Sequence, residues 1–255
     1  MTSSRGYQFN FSKMLPEAMY DGERRENKAK TMVAVFNDYF QADLKSFSVL
    51  DVGCSTGFIA RYLADHCELV IGIDIDGPAI EFAQAHFKKK NLNFLKTDSM
   101  AIEFPANHFD IVICAQVYEH VPDVTKLITQ IFRVLRPGGI CYFAAGNRLN
   151  IMEAHYKLPF LSILPRPLGH LYVRIARSGK FYYEKHFSFW TLKKIVGDFE
   201  LIDYTKRMIE NPQKFHIHYM LQPGTFKYRI AKLVANKAYW LFPTYIWLLK
   251  KPTRV

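Results

Sequence analysis

The stretch LDVGCSTG, residues 50–57, decides the fold. An apolar run, FSVLDV, ends there in a glycine-bearing turn, and a helix-forming run, GFIARYLADH, leaves it. Glycine turns after a first strand often cradle phosphate on their backbone N–H groups. A phosphate loop needs Gly-Lys-Ser/Thr, and Gly57 is followed by Phe58, which excludes it. The dinucleotide fingerprint Gly-x-Gly-x-x-Gly fails at Ser55 and again at Phe58. Asp51 opposes a diphosphate as well, because a carboxylate beside it in a partly desolvated cleft costs Coulomb energy. A ligand with a cationic centre and no phosphate reverses the sign. S-adenosylmethionine (SAM), with its sulfonium and ammonium, is such a ligand.

Outward from this turn, strand-like and helix-like segments alternate. ELVIGIDI is followed by PAIEFAQAHFKKK with Pro78 in its first turn, and NLNFLKT is a short strand. HFDIVICAQ leads to VTKLITQIFRVL, which stops at Arg136-Pro137-Gly138-Gly139 before a fifth strand, ICYFAAG. The strands are continuous apolar runs, as expected when helices cover both faces. Upstream, residues 23–40 predict a helix with Met32, Val33, Phe36 and Phe40 on one side. The expected fold is therefore α/β, a doubly wound, Rossmann-like sheet. After Gly146 the rhythm changes to a long insertion rich in proline and basic residues. A helix is expected over residues 188–196, then a strand FELIDYTKRMI, a basic aromatic stretch FKYRIAKLVANKAYWLF and a last strand YIWLLKKP. Three regions result: an N-terminal helical segment (1–45), a core (46–146) and a basic acceptor-side insertion that also completes the sheet (147–255).

VLDVGCSTGF resembles the first motif of class I SAM-dependent methyltransferases, an acid-x-Gly-x-Gly-x-Gly pattern after strand one, with Ser55 where a glycine is usual. IGIDID is similar to the second-strand acid that bonds the ribose, LKTDSM to the loop that meets adenine, FDIVICAQVYEHVPD to strand four and its loop, and LRPGG to the turn before strand five. The resemblance implies a seven-stranded sheet and SAM as cofactor. It implies cofactor contacts at Asp51, Gly53, Cys54, Ser55 and Gly57, at Asp74 and Ile75, at Asp98 and Ser99, and at Ala115. Asp76, just before Gly77-Pro78, reads instead as a helix cap.

Methyl transfer is an in-line displacement that requires alignment and, for a hydroxyl acceptor, removal of a proton. Glu119 and His120 follow strand four, in a loop resembling that of ubiquinone-pathway O-methyltransferases, where Glu-x-x-Glu-His binds a divalent metal. Gln116 replaces the first acid here, so no metal is expected. His155 and His186, in an insertion that follows strand five, are further candidate bases. His216 and His218, alternating in HIHYM, read as strand-face or surface residues.

Hydrophobic content of 49% with 22% charge is that of a globular chain. The four cysteines form no Cys-x-x-Cys pair and read as reduced, packed thiols. MTSSRGYQFNFSKM lacks the apolar stretch of a secretory signal, and no apolar run reaches the roughly 18 residues of a spanning helix, so a cytoplasmic protein is expected. Charge is lopsided. Residues 1–146 carry 15 Lys/Arg against 17 Asp/Glu, and residues 147–255 carry 19 against 6, a local net of +13. Such a bias points to an anionic partner. In LGHLYVRIAR, Leu168, Leu171, Tyr172 and Ile175 recur at helical spacing, opposite His170, Arg174 and Arg177. That helix either lies in an anionic membrane interface or forms a lid whose apolar face packs on the core. The tail as a whole resembles bacterial methyltransferases of polysaccharide or glycolipid synthesis. The expected enzyme methylates an oxygen of a lipid-linked saccharide or another small molecule near a membrane. A quinone-precursor methyltransferase and a SAM-binding scaffold without turnover are the alternatives, and nucleic acid is not an expected partner.

Overall fold

The computed structural model describes residues 8–153, 155–177 and 182–253, so the first seven residues of the N-terminal segment and parts of the insertion lie outside it. Seven strands form one sheet: β1 (Ser48–Val52), β2 (Leu69–Asp74), β3 (Leu92–Lys96), β4 (Phe109–Ala115), β5 (Leu135–Gly146), β6 (Glu200–Asp203) and β7 (Thr244–Lys250). Their order is β3-β2-β1-β4-β5-β7-β6. The first five are parallel, and β7 inserts antiparallel between β5 and β6. The chain leaves β1 toward β2 on one side and returns to β4 on the other. The crevice at that reversal is where an open α/β sheet binds its ligand.

Among the described residues ten α-helices flank the sheet: α1 (Phe11–Met14), α2 (Pro16–Met19), α3 (Gly22–Phe40), α4 (Phe58–Leu63), α5 (Gly77–His86), α6 (Val124–Val134), α7 (Arg166–Ala176), α8 (Phe189–Ile195), α9 (Tyr204–Glu210) and α10 (Phe226–Lys237). Their apolar faces explain the two-sided core. On one side Met32 and Phe36 of α3, Ile80 and Ala83 of α5 and Met208 of α9 bury against Val49, Val70 and Ile111. On the other, Leu127, Ile128 and Ile131 of α6 and Leu192 of α8 cover Leu50, Val112 and Phe143. All five residues of β1 are buried, which is why it reads as an unbroken apolar run. Side-chain caps begin the helices where the sequence supplies them: Asp21, Asp76, Asp123 and Ser188 each accept a backbone N–H from the first turn.

Four local expectations are corrected. FELIDYTKRMI is strand only over β6; Asp203 accepts the N–H of Thr205 and starts α9, so a cap ends the strand. LRPGG is no separate turn but the opening of β5, paired with β4 through a register shift between Phe109 and Ile111. HIHYM forms turns, so the strand-face alternative fails, while His216, in the left-handed region, is exposed as the surface alternative has it. The fourth concerns α7. Its inward residues are Gly169 and Val173, which pack on Leu158, Leu161 and Tyr182 to make a satellite core for the insertion. Leu168, Leu171 and Ile175 point outward and are 53%, 55% and 76% exposed, so the lid whose apolar face packs on the core is not formed. Among the described residues no helix is long and apolar enough to cross a membrane.

Leu171→Asp is therefore expected to change unfolding free energy by no more than about 0.5 kcal/mol. Val173→Ala, at a fully buried position, should cost about 1–3 kcal/mol. Urea denaturation followed by fluorescence and circular dichroism distinguishes these outcomes from an inward-facing Leu171.

Candidate active site

The turn after β1 is built from three residues in the left-handed region: Gly53 (φ 72°), Ser55 (φ 51°) and Gly57 (φ 80°). The two glycines are also steric necessities. A Cβ on Gly53 would meet Val117 Cγ2 at 2.5 Å, and one on Gly57 would meet the Phe94 ring at 2.6 Å and Ala83 Cβ at 2.8 Å. Ser55 adopts the same conformation at a cost of about 1 kcal/mol. It is held there because its N–H donates to Asp74 Oδ2 at 2.7 Å. Gly53 and Cys54 both donate to the carbonyl of Ile73, so the turn is strapped to the end of β2. From the N-terminal side Thr56 Oγ1 donates to the Met19 carbonyl, and the Ser12 N–H donates to Asp76 Oδ2.

Along this turn runs a cleft whose walls include Gly53, Asp74, Ile75, Asp98, Ser99 and His120. Asp74 accepts the N–H groups of Ser55 and Asp76; burial pushes its carboxyl up, and these donors oppose the shift. Asp76 caps α5, as expected, by accepting from Ala79. Cys54 turns its thiol into the core against Gly72, leaving only its backbone to the turn, and Ala115 ends β4 outside the cleft lining. Asp51 lies beneath, 2% exposed, and its Oδ2 has no hydrogen-bond partner. Burial pushes its carboxyl up to about 7, against the pull of the Arg25 guanidinium from α3. An orphaned acid under a turn with no room for side chains suits a cationic, phosphate-free ligand. SAM fits these residues.

The loop after β4 starts at Gln116, itself left-handed (φ 61°), and carries Tyr118, Glu119 and His120 in one helical turn. Tyr118 donates its hydroxyl to the Gly146 carbonyl and accepts the Phe187 N–H, tying this loop to the insertion. The insertion brings the other candidates. His155 Nδ1 lies 2.8 Å from Glu153 Oε1, and His186 Nε2 lies 3.5 Å from the same oxygen. His120 and His155 pack edge-on at 4.9 Å, and Phe11 of α1 covers both rings. Glu184 Oε1 stands 3.9 Å from His120 Nδ1. The adjacent pair Glu119–His120, His155 and His186, from three separate stretches of sequence, thus meet in one place.

Their protonation is set by surroundings. Burial holds His120 well below the usual imidazole range, and His155 and His186 push the same way, so its ring is neutral. Burial would lower His155 too, but the Glu153 hydrogen bond and the Glu184 charge win and raise it. Burial works against ionisation of Glu153 as well, yet hydrogen bonds from His155 and His186 bring it far below the carboxylate range. Glu119 has no such donors, and burial raises it.

Arg25, Glu153 and Glu184 escaped the sequence reading. Glu153-Ala-His155 and Glu184-Lys-His186 repeat one Glu-x-His spacing, beside Glu119-His120, and that recurrence is the signal that could have flagged both acids. Nothing local marks Arg25. It reaches the cofactor side only because α3 crosses the turn.

The parallel sheet with its antiparallel β7, and a glycine turn over an acid at the switch point, define a SAM-binding α/β protein. A methyltransferase-domain family matches residues 50–143. The ubiquinone biosynthesis O-methyltransferase of Pseudomonas fluorescens (strain Pf0-1) is 30% identical over 167 residues, covering 62% of this chain and 70% of that protein. The Coxiella burnetii (strain Dugway 5J108-111) protein of the same description is 36% identical over 110 residues, 42% of this chain, and the match spans about half (47%) of its length. In fold, an S-adenosylmethionine-dependent methyltransferase from Mesorhizobium loti superposes with a TM-score of 0.53 at 13% identity, covering 82% of this chain and 93% of the other. The chain belongs to the class I SAM-dependent methyltransferase family, and SAM is its cofactor.

Two outcomes are expected for the cofactor. A cationic ligand favours ionised Asp51, which is protonated below about pH 7. SAM affinity should therefore rise several-fold from pH 6 to pH 7 with proton release, and Asp51→Asn should flatten that rise; calorimetry in two buffers of different ionisation enthalpy reads both. Asp74→Ala should weaken SAM binding by about 1.5–3 kcal/mol with the far-ultraviolet circular dichroism unchanged. Unchanged affinity would remove Asp74 from the cofactor site.

Proposed function

We propose that the chain transfers the SAM methyl group to a hydroxyl oxygen of an amphiphilic acceptor that it meets at an anionic membrane surface. The carrying observation is that His120 both lines the cleft and belongs to the half-buried histidine–glutamate cluster. A neutral imidazole at that place can accept the proton that an acceptor hydroxyl must lose. The oxygen forms its bond to the methyl carbon as the carbon–sulfur bond breaks. The electron pair stays on sulfur, giving S-adenosylhomocysteine, and the proton passes to His120. The strapped turn and the orphaned Asp51 favour a working transferase over a scaffold that only holds SAM.

The outer surface of the insertion supports the membrane part of this reading. Leu168, Leu171 and Ile175 form an exposed apolar row on α7, with Phe160 exposed just before it and the side chain of Arg174 beside it. Phe226, Ile230 and Leu233 form a second exposed row on the basic helix α10. Apolar side chains flanked by cations suit a surface of anionic headgroups over acyl chains. Two acceptor classes fit this chemistry, a lipid-linked saccharide and a quinone-precursor phenol. Of these the phenol is favoured, because the curated relatives act in ubiquinone biosynthesis by their names.

Labelled-methyl transfer to a demethylated quinone precursor in phosphatidylglycerol-containing vesicles tests the acceptor, with a lipid-linked saccharide as the competing substrate. Turnover on the phenol is expected, and turnover on the saccharide alone would overturn that choice. His120→Ala should lower turnover about 10²–10⁴-fold while SAM affinity stays within twofold. In co-sedimentation, wild-type protein should pellet with anionic vesicles at low salt, and Leu171→Asp combined with Arg174→Glu should leave it in the supernatant. Wild-type protein that ignores vesicles at every salt concentration would remove the membrane from the reading.

A further inference from the structure

We propose that Glu153, His155 and His186 form a divalent-metal site of the kind that takes zinc or a neighbouring first-row ion, built by the insertion beside the cofactor cleft. Their three ligand atoms lie within 4.8 Å of one another. His186 Nε2 and Glu153 Oε1 are 3.5 Å apart, close to the ~3.4 Å between two ligands on tetrahedral zinc with bonds of ~2.1 Å. His155 Nδ1, hydrogen-bonded to the same oxygen at 2.8 Å, must open by about 0.6 Å as the ion replaces that bond. Two imidazoles and one carboxylate make a ligand set that zinc accepts while keeping a fourth position open.

Glu153 is prepared for this role. Its Oε2 accepts the backbone N–H groups of His155 and Tyr156 at 2.8 and 2.7 Å, which fixes the carboxylate and leaves Oε1 facing the two rings. The side chain is fully buried, so it does not wander to solvent.

Glu119 supplies an independent observation. It is 2% exposed, neither carboxylate oxygen has a hydrogen-bond partner, and the charges that act on it most are His186 and then His155. With Glu184, also buried, three carboxylates surround three imidazoles. Imidazole protons alone leave Glu119 without a donor, whereas a dication between the rings gives it a counter-charge. None of the three proposed ligands belongs to the Glu-x-x-Glu-His run of the quinone-pathway enzymes, which Gln116 interrupts here. The insertion would supply its own ligands. His120 stays outside this set, with its ring on the cleft.

That the ion presents an acceptor oxygen to the cofactor rests on the methyl-transfer reading. Binding of the ion does not, and the test separates them. The full chain, dialysed against chelator, is titrated with Zn²⁺ by calorimetry and with Co²⁺ by visible absorption, and SAM binding is measured on the same samples. One tight site is expected, with an intense four-coordinate Co²⁺ spectrum that Zn²⁺ displaces and a melting temperature that rises with Zn²⁺. Glu153→Gln and His186→Ala should each weaken Zn²⁺ at least tenfold, and Glu184→Gln should leave the ion bound. Wild-type protein that takes up no ion, or that gives only the weak spectrum of six-coordinate Co²⁺, overturns the proposal even if the variants fail to fold. So does loss of the ion in Glu184→Gln but not in His186→Ala, which would move it to the His120–His155–Glu184 group. Failure to bind SAM would count against the cofactor reading and leave the ion assignment standing.

Discussion

The close approach of Gly53 to Val117 is the constraint on which this site depends. No side chain fits between the turn after β1 and the loop after β4, so the two loops must advance together. One of them carries the cofactor-facing backbone and the other carries Glu119 and His120. Bringing them into contact makes the glycine turn and the proposed proton acceptor, His120, neighbours. Backbone strain is stored in both loops: Ser55 and Gln116, non-glycine residues in the left-handed region, mark the two loop ends. The hydrogen bond that the Ser55 N–H donates to Asp74 and the packing of Val117 hold that strain.

Electrostatics divides the site into two compartments with opposite needs. Beneath the turn, Asp51 is buried and Asp74 half-buried with the Arg25 guanidinium nearby, an environment rich in acid that suits a cationic cofactor. Around His120, three buried carboxylates stand with three half-buried imidazoles, and their protonation states differ according to which partner each has found. Glu153, with two backbone donors and two imidazoles, is ionised. Glu119, with none, is pushed toward its neutral form. Similar side chains take different chemical states because burial penalises charge and only specific donors offset that penalty.

The insertion links these compartments to the outside. Its satellite core of Leu158, Leu161, Val173 and Tyr182 is small, and it orients α7 with the apolar row outward. An amphipathic helix that turns its apolar face away from its own core exposes surface that water penalises. The basic excess of the same region accounts for what could cover it. The proposed membrane contact rests on this exposed row and on that charge.

Short-range physics was enough for the SAM-binding half. Residues 50–57 set the turn, apolar runs set β1 to β5, and Asp76 announced a cap, because each of these depends on neighbours within a few positions. The sequence alone also proposed Glu119, His120, His155 and His186, since few side chains can move a proton near neutral pH. That they meet was decided by tertiary structure. Tyr118 ties the β4 loop to β5 and the insertion, and the insertion folds back to place residues more than thirty positions apart around one carboxylate. Helical periodicity located the apolar row on α7 but could not say which way it faces. Facing is set by what packs beneath, and Gly169 with Val173 found the partner that Leu171 did not. The end of β6 was missed for a related reason: Asp203 could pair in a strand or cap a helix, and the short pairing of β6 with β7 left the cap to win.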